Sequence, residues 1–263
     1  MGFWDVFKNA IFYVINWLYG LVGDWGLAIV LITIIFRILI LPITIRQMKS
    51  SASMQKMQPK IKEIQTKYAD DRVRQQQEMA KIYSDSKFNP LSGCLPMLLQ
   101  MPIFMALFQV LRELESLISA AGYPDSVLPA SFYSILPDLS HSAGDVFSFT
   151  LEGILACLPY LVMLLIFSVS MLVPMLLNKN FDRNNLMITG MMSVMMLWLG
   201  WGSPAGVLLY WDTSSIIGIG QQLVMNQLNK RKEAAIEEEM ADITPVKVEV
   251  VRKEHKSRPR KSR

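Results

Sequence analysis

Arg37 stands inside the apolar run WGLAIVLITIIFRILILPITI, Trp25 to Ile45. A guanidinium near the middle of a membrane span costs roughly 2.5 to 3.5 kcal/mol if it faces lipid. It is about 12 residues, roughly 18 Å of helix, from Trp25, and about nine from Arg46, too far for easy snorkelling. A wet cavity or a polar partner is the favoured reading. Thr33 precedes Arg37 by four residues on the same helical face, and Gln100, Tyr210, Trp211, Asp212, Thr213, Ser214 and Ser215 bring further polarity into other apolar stretches. Taken together they can line a groove. For Thr33 or Ser214 alone, an ordinary interhelical hydrogen bond is the simpler reading. Asp212 differs, because an acid at that depth must be neutral, hydrated or paired, and Arg37 is its natural candidate partner.

Other chemistry finds little support. His141 and His255 fall in a loop and a tail, and neither HExxH nor a phosphate-cradling GxxxxGK[ST] is present. Ser203 in GWGSPAG has no histidine base within any span, which argues against a membrane serine protease. Cys94 and Cys157 sit near opposite ends of different apolar stretches, so they form no disulfide framework or metal cluster and read as packing residues. Neither a cofactor, a metal nor an enzymatic activity is expected. Met187, Met191, Met192, Met195 and Met196 crowd one stretch. Flexible thioethers suit contact with many apolar partners, Met191 and Met195 foremost, although helix packing accounts for them equally well.

The elements that must position these residues follow from hydropathy. In 263 residues, 52% are hydrophobic, and the mean hydropathy is +0.30. That is more apolar surface than a water-soluble core of ordinary composition holds. The pattern predicts an all-α integral membrane protein with five transmembrane helices at 25–45, 91–112, 152–177, 186–200 and 204–228. Residues 1–22 place Trp4, Phe7, Ile11, Val14, Ile15 and Leu18 on one face and are read as an external interfacial helix, with a short first span as the alternative. This amino terminus lacks the order of a cleavable signal and is expected to stay on the mature protein.

Residues 46–90 turn polar, with Met57, Ile61, Ile64 and Tyr68 at helical spacing before Asp70-Asp71, so they read as an antiparallel helical hairpin ended by Asn89-Pro90. The loop 113–151 carries Pro124, Pro129 and Pro137 and no Lys or Arg between Glu113 and Leu151, whereas the hairpin holds ten basic residues from Arg46 to Lys87. The positive-inside rule then makes the hairpin, the connection 178–185 with Lys179 and Arg183, and the basic tail 229–263 cytoplasmic, and puts the amino terminus outside.

Four segments, GLAIVLITIIFRILILPITIRQ, MQPKIKEIQTKYADD, NPLSGCLPMLLQMPIF and SPAGVLLYWDTSSIIGIGQQ, resemble in order and topology the YidC insertase family, with its mitochondrial Oxa and chloroplast Albino relatives, across roughly residues 25 to 228. The resemblance implies a five-helix core in the bacterial plasma membrane, with a groove open to cytoplasm and lipid and closed outside. It implies insertion and folding of nascent membrane proteins, alone or with the Sec translocon, by a monomeric unit. Arg37 matches the family's groove arginine, Thr33 and Gln100 groove-side or adjacent positions, and Tyr210 and Trp211 the aromatic pair on the substrate's route. The hairpin matches a region that receives substrate, and the basic tail resembles those that contact ribosomes. The sequence departs from the family pattern at Asp212, usually uncharged, at Ser215, often Asn, and at Ser193, often Pro. A small ion or solute transporter is the rival reading, drawn from the same Arg37 and Asp212, and a non-inserting assembly factor is the second.

Overall fold

The computed structural model describes residues 2–85, 95–133, 135–176 and 183–242. The end of the hairpin at Asn89-Pro90, Cys94, Lys179 and the tail beyond Asp242 with His255 lie outside these residues. The described chain is helical, without a named strand. Residues 1–223 pack as one compact unit and 224–263 as a second.

Helix α1 (Phe3–Val22) buries Ile11, Ile15 and Leu18, with Trp4 and Phe7 packed alongside, which is the apolar face expected from spacing. It ends at Gly23, whose φ of +72° is a left-handed cap that favours glycine. Asp24 then caps α2 (Trp25–Leu39), accepting from the Leu27 N–H at 2.7 Å, and the two helices meet at 119°. The far end of α1 is tied to α5 (Leu95–Arg112). Trp4 Nε1 donates to Gln109 Oε1 at 2.9 Å, and Lys8 and Glu113 form an ion pair at 3.2 Å.

The helix expected from 25 to 45 is not continuous. It breaks at Ile40, and α3 runs from Leu41 to Lys67, so the first hairpin helix begins before residue 46. Pro42 explains the break, because it has no N–H for the Ile38 carbonyl and its ring crowds that carbonyl. Residues 68–71 turn the chain into α4 (Arg72–Asp85), where Asp71 Oδ1 accepts the Arg74 N–H at 3.0 Å and Gln75 reaches back to the Gln65 carbonyl. Ile61 is buried on the predicted stripe, and Lys67 and Arg74 both sit over the Tyr68 ring.

After α5 come α6 (Leu114–Ala120), a 3-10 turn at Asp125–Val127 and α7 (Ala143–Val146). This connection is not a loose loop: Ala130, Leu136, Leu139 and Ala143 are fully buried in the main core. It covers the start of α10 (Ala205–Asp242). Ala205 N–H donates to the His141 carbonyl at 2.8 Å and Gly206 N–H to the Leu139 carbonyl at 2.9 Å, which gives partners to donors that every helix start leaves open. Tyr160 of α8 (Leu151–Leu176) bonds the Asp138 carbonyl from the side.

Helices α8, α9 (Arg183–Trp201) and α10 form a second packing layer around Leu164, Phe167 and Leu208. α10 continues as one helix to Asp242 instead of ending near 228. Lys, Arg, Glu and Ala in KRKEAAIEEE are strong helix formers, so the polar sequence does not stop the helix. Among the described residues one unbroken helix, Leu151–Val173, has the length and apolarity to cross a membrane by itself. α2 is only 15 residues, about 22 Å of rise, and the apolar part of α9, Met187–Trp201, is no longer.

Candidate functional site

A narrow cleft opens between α2, α5 and α10, lined by Thr33, Phe36, Arg37, Ile40, Gln100, Tyr210 and Ser214. Five residues picked out by their polarity, Thr33, Arg37, Gln100, Tyr210 and Ser214, come together here.

Arg37 crosses the cleft. Its Nε donates to Ser214 Oγ at 2.7 Å, and its terminal nitrogens lie 3.6 and 3.7 Å from where a Cβ on Gly218 would stand. Ser214 and Gly218 are one helical turn apart, so together they form a floor for the guanidinium on α10. A Cβ at Gly218 would meet the planar group at ordinary contact distance, so only a side chain larger than alanine would take its place. Among the described residues the remaining guanidinium N–H groups have no hydrogen-bond acceptor, which leaves the charge open to a ligand or water in the cleft.

The opposite wall is also tied across helices. The Gln100 amide of α5 donates to the Tyr210 hydroxyl of α10. Tyr210 is buried, so this bond gives a partner to a polar tip that burial would otherwise strand. Thr33 is buried too, but its hydroxyl donates to the Ile29 carbonyl at 2.6 Å, a bond inside its own helix. It therefore shapes the wall with its methyl group and leaves the polar work to its neighbours.

Trp211 and Asp212 lie elsewhere. The Trp211 ring stands edge-on between Phe104 of α5 and Phe167 of α8, with centroids 5.0 and 4.9 Å away, and does not line the cleft. Asp212 is not the partner of Arg37: it is buried and neither carboxylate oxygen accepts a hydrogen bond. The reason is helical geometry, since residues two apart point roughly 200° apart and only the Tyr210–Ser214 side of α10 turns to the cleft. Met191 and Met195 are exposed on α9, away from the lining, while Met196 turns inward against Leu164 and Phe167. Among the described residues no group of three or more His, Cys, Asp or Glu is placed to hold a metal. Ser203 Oγ donates to the Leu199 carbonyl at 2.9 Å, a bond that closes the helix end.

Two features of the site escape single-residue reading. Gly218 has no functional group, and only its four-residue spacing from Ser214 marks it. The cap formed by residues 130–143 is mostly small and apolar residues in a sequence that reads as a loop, and its backbone bonds to α10 leave no sequence signal.

The sequence pattern of the family described as 60Kd inner membrane protein matches residues 17–233. Proteins named membrane protein insertase YidC from Francisella tularensis subsp. novicida strain U112 and from Francisella tularensis subsp. tularensis strain SCHU S4 / Schu 4 are each 34% identical to this chain over 227 residues, which is 86% of this chain and 37% of theirs. A crystal structure described as active YidC insertase with the first transmembrane domain resolved superposes with a TM-score of 0.63 at 30% identity, over 84% of this chain and 46% of that one. The chain thus spans little more than a third of the length of these curated relatives, and the shared part contains the cleft. The family match over most of the chain, the all-helical architecture and the solved neighbour lead to one conclusion: this chain belongs to the YidC family of inner-membrane proteins.

Proposed function

We propose that this protein is a membrane protein insertase and chaperone that receives nascent proteins in the cleft between α2, α5 and α10 and releases them into the bilayer. The observation that carries the reading is Arg37, held by Ser214 and Gly218 with most of its donors free, inside a cleft whose other walls are apolar or already bonded. The names of the relatives support the same activity.

In this reading five helices, α2, α5, α8, α9 and the first part of α10, cross the plasma membrane. The shorter ones fit where the protein is thin or the bilayer yields around it. The amino terminus is outside with α1 lying along the interface, and residues 113–151 form the external cap. The basic hairpin α3–α4 and the end of α10 are cytoplasmic, following the distribution of Lys and Arg. The cleft then opens to cytoplasm and lipid, and the cap bonded to α10 closes it outside.

A nascent apolar segment slides along α2, α5 and α10 while its short polar tail rests near Arg37. Water and the guanidinium lower the barrier which that tail meets in hydrocarbon. An acidic tail moving outward gains roughly 2.3 kcal/mol per charge per 100 mV of membrane potential, inside negative. Met191 and Met195 offer adaptable apolar surface to lipid or to a passing helix. The reading needs neither bond-making chemistry nor a cofactor. The hairpin is the first landing surface, and the basic tail is the segment suited to ribosomal RNA or anionic lipid. Cooperation with the Sec translocon is compatible with a monomeric unit.

The test is insertion of a short acidic-tailed single-span substrate into liposomes holding only this protein, scored by protease protection. Protection above empty liposomes that falls with Arg37→Ala supports the charged cleft. Equal protection with a stable Arg37→Ala chain removes the charge from the mechanism, and no protection removes autonomous insertion.

A further inference from the structure

The cleft between α2, α5 and α10 offers hydrogen-bond donors and a charge without a counter-charge. Arg37 Nε is spent on Ser214 Oγ, which fixes the guanidinium and leaves its two terminal nitrogens as a free fork. Those nitrogens stand 3.7 and 3.6 Å from where a Cβ on Gly218 would be, one turn beyond Ser214 along α10. α2 and α10 both start at the cap, where the Gly26 N–H meets the Ser131 carbonyl and the Ala205 N–H the His141 carbonyl, so the fork points away from the cap. It points to the end where α2 stops at Leu39, two residues past Arg37. Further donors lie on the same walls. The Tyr210 hydroxyl accepts from Gln100 and keeps its own proton to give, and the Gln100 amide has a second N–H.

No acid answers this charge. Among the described residues that line the cleft none is Asp or Glu. Over α2, α5 and α10 from Ala205 to Asn229 the sequence holds one carboxyl side chain, Asp212, which does not line the cleft. A cation held away from water without a counter-ion is costly, so the fork is a ready site for an anion with two oxygens side by side. The empty space is about 170 Å³, mouth included. That is the share of about six water molecules in the liquid, enough for one small anionic group and far too little for a helix about 10 Å across. The same space has apolar walls in Phe36 and Ile40. Ile38, Leu39 and Met101, each next in the chain to a lining residue, are exposed. An occupant that satisfies both kinds of wall is an amphiphile.

We propose that the cleft at rest holds the phosphodiester of an anionic phospholipid, with its two free oxygens on the Arg37 fork and its acyl chains along Phe36, Ile40 and the exposed apolar residues beside them. The lining also selects the head group. A choline or ethanolamine head brings a cation, for which the lining has no acid, whereas a glycerol head brings hydroxyls, for which the Gln100 carbonyl is an acceptor. Phosphatidylglycerol is therefore the preferred class. The proposal concerns the empty cleft and is read without any substrate, so its failure leaves the insertion reading untouched. On that reading, an acidic tail takes the place of the lipid.

The test follows thermal unfolding of the full chain in a neutral maltoside detergent, with dihexanoyl-phosphatidylglycerol, dihexanoyl-phosphatidylcholine or inorganic phosphate added in separate series. A ligand of the folded state raises the melting temperature with its concentration, which yields an apparent affinity. Exposed basic residues of the hairpin bind anionic heads in every variant, so the difference between the unaltered chain and Arg37→Gln reads the cleft. Arg37→Gln should weaken phosphatidylglycerol by about tenfold or more and leave phosphatidylcholine nearly unchanged. Equal affinity for phosphatidylglycerol in the two chains overturns the proposal. An Arg37-dependent shift as large with inorganic phosphate as with the lipid overturns it too, because the site is then one for a free anion. If Arg37→Gln does not fold, Arg37→Lys keeps the charge and loses the fork. It should weaken phosphatidylglycerol severalfold, and an unchanged affinity again overturns the proposal.

Discussion

Arg37 of α2 donates its Nε–H to Ser214 of α10 at 2.7 Å, while Asp212, two residues earlier on the same helix, receives no hydrogen bond at all. Arg37 and Asp212 thus face opposite sides of α10. The cleft keeps an open positive charge because its obvious neutraliser points elsewhere.

A double-mutant cycle on substrate insertion measures that separation. Arg37→Ala and Ser214→Ala should couple, with an interaction energy between about 0.5 and 3 kcal/mol, because they share a bond to a charged group. Arg37→Ala and Asp212→Asn should be additive within about 0.5 kcal/mol. Strong coupling in the second cycle would mean that the two charges meet during the working cycle.

Gly218 lies beneath the Arg37 guanidinium on α10. A Cβ there stands 3.6 Å from the nearest Arg37 nitrogen, an ordinary contact. Gly218→Ala is therefore expected to fold normally and to gain about 0.5 to 1 kcal/mol from helix propensity. Gly218→Phe fills the guanidinium's place and should reduce insertion of acidic-tailed substrates towards the Arg37→Ala level. Thermal unfolding in detergent and the liposome assay separate the two outcomes.

Gly26 lies against the cap. Its N–H donates to the Ser131 carbonyl at 3.1 Å, and an added Cβ would stand 2.3 Å from the Phe132 Cβ, a separation real atoms do not adopt. Gly26→Ala must push the cap away from α2, at a cost of about 1 to 3 kcal/mol. Limited proteolysis within residues 124–142 should speed up in this variant, and unchanged cleavage would mean that the cap moves freely at no cost.

Asp145 makes the cap sensitive to acid. The Ser142 hydroxyl at 2.6 Å and the Ser142 N–H at 2.9 Å both donate to its carboxylate and hold it below the ordinary aspartate value of 3.8. The folded cap thus prefers the ionised form. This stabilisation is complete above that ordinary value and is lost as the pH falls through the lower folded one. Proteolytic nicking of the cap by an acid-active protease should rise in that window. In Asp145→Asn, nicking should be faster at neutral pH and lack this acid-dependent step.

Much of this architecture was legible before any coordinates. The apolar runs, the basic hairpin and the sidedness of Lys and Arg come from partitioning between water and hydrocarbon, a property of segments that needs no tertiary partner. Arg37 could be singled out for the same reason: its cost is intrinsic to its place in the run. The face of α1 that carries Ile11, Ile15 and Leu18 and the Ile61 stripe of the hairpin were equally readable, because helical periodicity is local.

What the sequence could not decide is which side of each helix meets which neighbour. Trp211 and Asp212 adjoin Tyr210 in the chain, yet the helical rotation of about 100° per residue sends all three to different surroundings. Thr33 sits at the cleft and satisfies itself, a choice between two nearly equal hydrogen bonds that only packing resolves. The cap likewise depends on backbone bonds from Leu139 and His141 to the start of α10, and backbone groups look alike in every sequence. Segment chemistry determined where the helices are and which charge is out of place, whereas rotation and register, set by side chains packing across helices, decided that the charge would face an open cleft.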